Sequence, residues 1–258
     1  MQVKGVTNDK LNDKGFSLVE LIIAIAIGAI VSGSIAALMS FAVRNYRDQS
    51  VNTQMQYELQ TNINQVMNEI MGSTGMVIVQ NHNGTGTAPL TKYAVFGNFN
   101  ADIEDSGSGS TVKGFKGVIF ASGGLDSSTG KFNIYMNRVE KKYSGSTPKA
   151  CDVAKDCFNE IEGTFSSSGP NPYLLGENAS VFSITPDPDN SCLDNTNLKY
   201  ENPISVGVEL QFEKDATGKT VTRHVKDNTH MRNKVTDTIY ISVNGGTSYT
   251  EYTIKKKE

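Results

Sequence analysis

Tryptophan is absent from this 258-residue chain, and histidine and cysteine are scarce, with three of each. His82, His224 and His230 form no H-E-x-x-H pair, so the zinc-peptidase helix is missing. No G-x-S-x-G occurs, which excludes the nucleophile elbow of α/β-hydrolases. Residues 218–220, Gly-Lys-Thr, imitate the end of a Walker A loop, but Glu213 stands where its first glycine belongs. We therefore expect a non-enzymatic protein with no catalytic residues and no cofactor.

An excess of positive charge is also missing. The formal net charge is -3 and the sequence pI is about 5.7. Such a balance gives no general attraction to nucleic acid, so we expect no nucleic-acid partner. The 24 glycines and the many serines and asparagines indicate a turn-rich β domain rather than a helical bundle.

A long apolar run is present at the N-terminal end. Residues 16–43 form a stretch of 28 residues with a single charge, Glu20. A bilayer core needs about 20 apolar residues in helical form, so this stretch is long enough to span one. Residues 1–15 are polar and carry Lys4, Lys10 and Lys14, which favours a cytoplasmic N-terminus.

Two ordinary explanations of this run do not account for Glu20. A secretory signal peptide has an apolar run of only about 7–15 residues. In a plain signal anchor, Glu20 would have to reach the headgroups, because a carboxylate costs about 2.5–3.5 kcal/mol at a helix centre. Neither explanation gives the carboxylate a purpose.

The run Gly15-Phe16-Ser17-Leu18-Val19-Glu20 resembles the processing site of type IV prepilins and of the pseudopilins of type II secretion. The resemblance implies that a prepilin peptidase cuts after Gly15 and that the new N-terminal residue, Phe16, is methylated. Glu20 then becomes the fifth residue of the mature chain. In that family this glutamate neutralises the N-terminus of a neighbouring subunit, which makes Glu20 an assembly residue.

The resemblance also implies where the protein acts and with what. We expect residues 1–15 to be a cleaved leader, 16–45 a transmembrane and filament-core helix, and 46–258 an extracytoplasmic domain. The expected partners are other pilin subunits, the prepilin peptidase, an inner-membrane assembly platform and, before assembly, membrane lipid. The expected location is the cytoplasmic membrane in a single pass, then an extracellular pilus or a periplasm-spanning pseudopilus.

The helical pattern continues beyond the apolar run. Apolar residues recur at spacings of three and four, the mark of an amphipathic helix face. Gly72 and Gly75 then provide a stop signal, so we predict one helix over 17–71. The recurring positions are Val51, Met55, Leu59, Ile63, Val66, Met67 and Ile70.

The remainder of the chain has β patterns. Five apolar residues alternate over 204–212, which is typical of a strand with one buried face, and a turn and a returning strand follow. The segment 144–203 is rich in Ser, Pro, Asn and Asp and is interpreted as a loop-rich insertion. The predicted class is α+β, with the long helix packed on an antiparallel sheet as in pilins. Other predicted strands lie at 76–79, 93–96, 117–121, 131–140, 221–225 and 239–243.

The three cysteines allow two interpretations. In an exported domain a disulfide is the default, and Cys151 with Cys157 would close a small loop, leaving Cys192 over. Alternatively, Cys151, Cys157 and Cys192 would hold a structural zinc. The acidic stretch at 187–194 lacks the glycine and closing glutamate of an EF-hand and is interpreted as a solvated loop.

Size decides among pilin-like roles. Removal of 15 of the 258 residues would leave 243, which is large for the main subunit of such filaments. We therefore expect a minor pilin. The alternatives are a pseudopilin of a type II secretion or DNA-uptake system, or a pilus-associated adhesin or ligand-binding module whose binding surface is the 144–203 region.

Overall fold

A computed structural model describes most of the chain, and contacts between residues divide it into two units, one ending at Gln49 and one beginning at Ser50. The described residues are 16–81, 90–105, 107, 109–164, 173–186, 193–194, 199–201, 204–216, 219–232, 239–242, 247 and 250–255.

The first element is a single helix, α1 (Leu18–Met71), of 54 residues. It contains no proline, and its two glycines, Gly28 and Gly33, do not interrupt it. The predicted helix over 17–71 is confirmed within one residue at its start. Along residues 18–47 every side chain is exposed in the described chain.

The C-terminal part of α1 belongs to the second unit and packs through one face. Met55, Leu59, Ile63, Val66 and Ile70 are buried, and their spacing of three and four places them on one side of the helix. This part of α1 is helical because its apolar stripe has a sheet to bury against, which supplies most of the stability of a helix in a protein.

The C-terminal end of α1 is fully capped. The Ser73 hydroxyl donates to the carbonyl of Glu69 at 2.7 Å, and the Ser73 N–H donates to the carbonyl of Ile70. The N–H of Arg232 donates to the carbonyl of Met71 at 3.1 Å. The Gly72 N–H donates to the carbonyl of Asn68. The four carbonyls that a helix end leaves without intrahelical partners are therefore all hydrogen-bonded.

Among the described residues, eleven strands form one sheet in the order β6-β7-β11-β10-β1-β2-β3-β4-β5-β8-β9. Neighbouring strands are antiparallel, apart from the parallel pairs β1–β10 and β7–β11. The strands are β1 (Gly75–Asn81), β2 (Leu90–Glu104), β3 (Thr111–Ser122), β4 (Phe132–Lys142), β5 (Tyr173–Pro186), β6 (Leu193–Asp194), β7 (Lys199–Glu201), β8 (Ser205–Ala216), β9 (Lys219–His230), β10 (Ile239–Ser242) and β11 (Thr250–Lys255).

The sheet is covered on both faces. The C-terminal part of α1 packs on one face with Phe96, Phe120 and Phe182. A second helix, α2 (Ala150–Glu162), packs on the other face with Val77, Val95 and Ile119. Apolar residues of β1 and β2 contribute to the cores on both faces of the sheet, since successive side chains of a strand point to opposite sides.

The sheet curls strongly around the α1 side. The Thr91 hydroxyl at the start of β2 accepts a hydrogen bond from the N–H of Ile184 in β5 at 2.8 Å. Gln80 in β1 donates its side-chain amide to the carbonyl of Ile184 at 3.1 Å. In the sheet order, β3 and β4 lie between β2 and β5. These contacts therefore require the sheet to bend so that β2 and β5 approach each other.

The interpretation of 144–203 as a loop-rich insertion is wrong for much of that segment. It contains α2 and also β5, which lies between β4 and β8 inside the sheet. The predicted strands at 76–79, 93–96 and 117–121 lie within β1, β2 and β3, and the one at 204–212 lies within β8 except for Ile204. The α+β class with a long N-terminal helix is confirmed.

Candidate functional site at the N-terminal segment

Ser17 caps the start of α1. Its hydroxyl accepts a hydrogen bond from the backbone N–H of Glu20 at 3.2 Å, and its carbonyl accepts the first intrahelical bond, from Leu21. Serine three residues before glutamate is the sequence signature of a capping box. The S-x-x-E pattern of Ser17 and Glu20 is a sequence signal for this cap, in addition to the resemblance that singles out Glu20. The cap fixes where the helix begins, at Leu18, two residues after Phe16.

Glu20 lies in the first turn of α1, the third helical residue. The unsatisfied N–H groups of a helix start carry a partial positive charge, which favours a carboxylate at this place. The arrangement therefore keeps the Glu20 carboxylate in the first turn, four residues after Phe16. The Phe16 side chain is exposed. Gly15, the residue before the predicted cut, lies outside the described residues.

The first part of α1 is long and apolar enough to cross a membrane. Its most apolar 18-residue window has a mean hydropathy of 2.5, and none of that window is buried in the described chain. Many large apolar side chains, including Leu21, Ile25, Leu38 and Phe41, are more than half exposed. Exposure of this kind marks a surface that meets lipid or protein. This segment is consistent with membrane anchoring.

The two described cysteines do not form the predicted disulfide. Cys151 and Cys157 are six residues apart on α2 and both have free thiols. Six residues advance a helix by about 9 Å, beyond the Cα separation of about 7 Å that a disulfide tolerates. Cys192 lies outside the described residues.

Burial keeps Cys157 protonated. Loss of solvent raises the pKa of its thiol to about 11, and the nearby Lys141 ammonium opposes that rise only in part. Partial burial also raises the pKa of Cys151. Within the residues that the structure describes, no three His, Cys, Asp or Glu side chains come together as a metal-binding group. Three of the acidic-loop residues, Asp187, Asp189 and Asn190, lie outside them.

Three other residues that the sequence motifs singled out, His224, Lys219 and Thr220, lie in strand β9. His224 on β9 lies 2.9 Å from the Glu209 carboxylate of β8, as a cross-strand surface pair. Lys219 and Thr220 begin β9, which pairs with β8 as the predicted returning strand. His82 lies outside the described part of the chain.

Comparison with known proteins identifies one feature. The family model described as the prokaryotic N-terminal methylation motif matches residues 10–36. The match covers Gly15, Phe16, Ser17, Glu20 and the first turns of α1. No curated protein matches the chain, and no solved structure does.

Proposed function

We propose that this chain is a minor pilin. The proposal starts from its methylation motif, which supports a type IV pilin-like or pseudopilin precursor. In this proposal it enters the membrane as a prepilin, is cleaved after Gly15 and joins a filament through α1. The observation that supports the proposal is the match of residues 10–36 to the prokaryotic N-terminal methylation motif, a range that includes Gly15, Phe16 and Glu20. The family to which the motif belongs is structural, and we propose a structural rather than catalytic role.

The N-terminal geometry supports this processing scheme. Cleavage after Gly15 would leave Phe16 as the only residue before the cap, Ser17, with its new ammonium beside the positive end of α1. Two positive features next to each other in an apolar setting are unfavourable unless a negative charge is close. Glu20 supplies that charge to its own subunit in the membrane and to the next subunit in the filament.

The exposed apolar part of α1 supports the same sequence of events. Before assembly this surface would lie in lipid as a single span, with the N-terminus in the cytoplasm. During assembly it would leave lipid for the corresponding helices of other pilins, with the prepilin peptidase and the inner-membrane platform as earlier partners. The domain from Ser50 onward would then be displayed outside the membrane, on a pilus.

A pseudopilin of a type II secretion or DNA-uptake system is the second candidate, because the same motif serves both classes. The two candidates differ in their final location: a pilin lies in an extracellular fibre, and a pseudopilin lies in a short periplasmic fibre. Fractionation of sheared cells distinguishes them, because a pilin is released with surface fibres and a pseudopilin remains with the cell body.

Intact mass and N-terminal sequencing of the membrane-extracted protein test the proposal directly. Cells with the prepilin peptidase should yield a chain that begins at methylated Phe16, and cells without it a chain that retains residues 1–15. A chain that keeps the leader in both strains, or one cut beyond residue 30, would overturn the proposal.

Substitution at Glu20 separates processing from assembly. We expect Glu20→Ala to be cleaved and methylated normally but to be incorporated poorly into fibres, because the neighbouring N-terminus loses its counter-charge. Glu20→Asp is the matched control and should restore part of the incorporation. Loss of cleavage in Glu20→Ala would instead show that Glu20 acts in peptidase recognition.

A further inference from the structure

Strand β5 leaves its neighbour β8 before its own N-terminal end. The two strands pair from Pro186 and Val206 as far as Ala179 and Phe212, with an irregularity in register next to Ala179. Residues 173–176 of β5 pair only with β4, also with irregular register. Asn178 adopts a left-handed backbone conformation, φ 56°, at the point of separation. Asparagine tolerates that conformation better than most residues.

The separation opens a cleft of about 430 Å³ in the second unit. Its walls are α1 over residues 54–62, β5 over 173–178 and β8 over 212–214. We refer to it as the β5 cleft. Its volume lies within the range of about 300–1,000 Å³ that is typical of small-molecule sites.

The floor of the β5 cleft is apolar and closely packed. Met55 and Leu175 are buried there, and the Phe212 ring fills the space beside Gly176. A Cβ on residue 176 would come within 2.2 Å of that ring, so only glycine permits this approach. The floor is thus built by specific residues and is not a gap left by poor packing.

Amides and carboxylates line the rim of the cleft. Gln54 donates its side-chain amide to the Glu58 carboxylate at 2.7 Å, and both side chains are exposed. The buried Asn62 donates to the carbonyl of Leu175 and so replaces the missing strand partner there. Glu177 is exposed on the β5 side.

An exposed aromatic ring completes the β5 cleft. Tyr173 is 54% exposed, although aromatic side chains gain most from burial. It lies in the wall of a polar cleft, beside the half-covered Leu174. The flat face of such a ring offers a stacking surface for the C–H face of a ligand, while its hydroxyl reaches water.

We propose that the β5 cleft binds a neutral, hydroxyl-rich ligand of the saccharide class. Amide and carboxylate groups match the donors and acceptors of adjacent hydroxyls, and an exposed tyrosine matches the apolar face of a sugar ring. The carboxylates of Glu58 and Glu177 repel anionic ligands, whereas Glu213 is paired with Lys131 at 3.3 Å. Lys214 is the one basic group among the described residues of the wall. The polar rim disfavours a purely apolar ligand. The site does not rest on the filament proposal, since it needs no processing at Gly15.

The test uses the full chain, extracted in a zwitterionic detergent whose headgroup contains no sugar. The probes are neutral mono- and disaccharides of glucose, galactose, mannose and N-acetylglucosamine, and binding is followed by saturation-transfer difference NMR. We expect saturable transfer from the protein to the C–H protons of at least one probe. Sialic acid and glucose 6-phosphate serve as anionic comparisons and should bind more weakly.

Three variants locate the binding. Tyr173→Ala should weaken it about three- to tenfold, the range that one aromatic stacking contact provides, whereas Tyr173→Phe should retain it. Tyr57→Ala is the matched control, because Tyr57 is an exposed tyrosine on α1 that lies outside the cleft wall. No saturable transfer from any probe would overturn the proposal. So would equal loss in Tyr57→Ala, or tighter binding of the anionic sugars.

Discussion

The Ser17 hydroxyl and the backbone N–H of Glu20 are joined by a hydrogen bond of 3.2 Å at the first turn of α1. The residue that caps the helix and the residue that carries the single charge of the apolar run are therefore coupled within four positions. If the helix began at a different residue, the position of the Glu20 carboxylate relative to Phe16 would change.

Ser17→Ala should loosen this first turn. Loss of an N-cap serine costs about 1 kcal/mol, so exchange of the Glu20 amide hydrogen should become about fivefold faster. Hydrogen exchange of the full chain in a lipid nanodisc, read out by mass spectrometry of N-terminal peptides, measures this. Ser17→Thr keeps the hydroxyl and should exchange at the original rate; equal acceleration in both variants would contradict the cap.

Ile63→Ala should destabilise the second unit strongly. Ile63 is fully buried in the contact between α1 and the sheet, and removal of such a side chain costs about 2–5 kcal/mol. Urea unfolding followed by far-UV circular dichroism measures the change in free energy. Gln60→Ala, an exposed position one turn earlier, is the control and should change the free energy by less than about 0.5 kcal/mol.

Gly117→Ala should disturb the pairing of β2 with β3. Gly117 lies opposite Gly97, and a Cβ there would stand 2.2 Å from the Phe96 carbonyl oxygen, with the Phe115 ring also in the way. Overpacking of this kind costs about 1–3 kcal/mol, which thermal unfolding should report as a lower midpoint. Gly124→Ala meets nothing within 4 Å and should leave the midpoint unchanged.

Stability should fall at alkaline pH because of Cys157. Its pKa is raised by burial from near 9 to about 11, so between these values the unfolded thiol loses its proton while the folded one keeps it. The unfolded state then binds fewer protons, and the free energy of unfolding falls by up to about 1.4 kcal/mol per pH unit.

Denaturant unfolding of the native chain and of Cys157→Ala at pH 8, 9, 10 and 11 tests this effect. Other groups titrate in the same range, so the informative quantity is the difference between the two curves. The native chain should lose stability more steeply than Cys157→Ala above pH 9. Parallel curves would show that the thiol is not buried in the folded chain.

The sequence predicted the elements whose pattern is local and regular. Apolar spacing of three and four indicated α1, and alternation over 204–212 indicated β8. Helix α2 carries the same kind of signal, with Val153, Ala154, Cys157, Phe158 and Ile161 on one face, but Ser- and Gly-rich flanks hid it. The pattern of β5 is broken at Gly176 and Asn178, the two residues that shape the cleft.

Other features depend on contacts between distant residues and have no local signal. The parallel pairing of β1 with β10 joins Met76 to Ile239 across the length of the domain. The β5 cleft depends on the irregular register between β5 and β8, which no single segment encodes. The cap at Ser17 was readable from S-x-x-E, yet Ser17 was assigned only to the processing motif and Glu20 only to assembly.

The connection from α1 to β1 has a mechanical consequence. Only three residues, 72–74, separate the helix from β1, and β1 is held on one side by β10 and on the other by β2. A tensile load applied along α1 would therefore reach an inner strand that is hydrogen-bonded along both edges, and not an edge strand that is bonded along one.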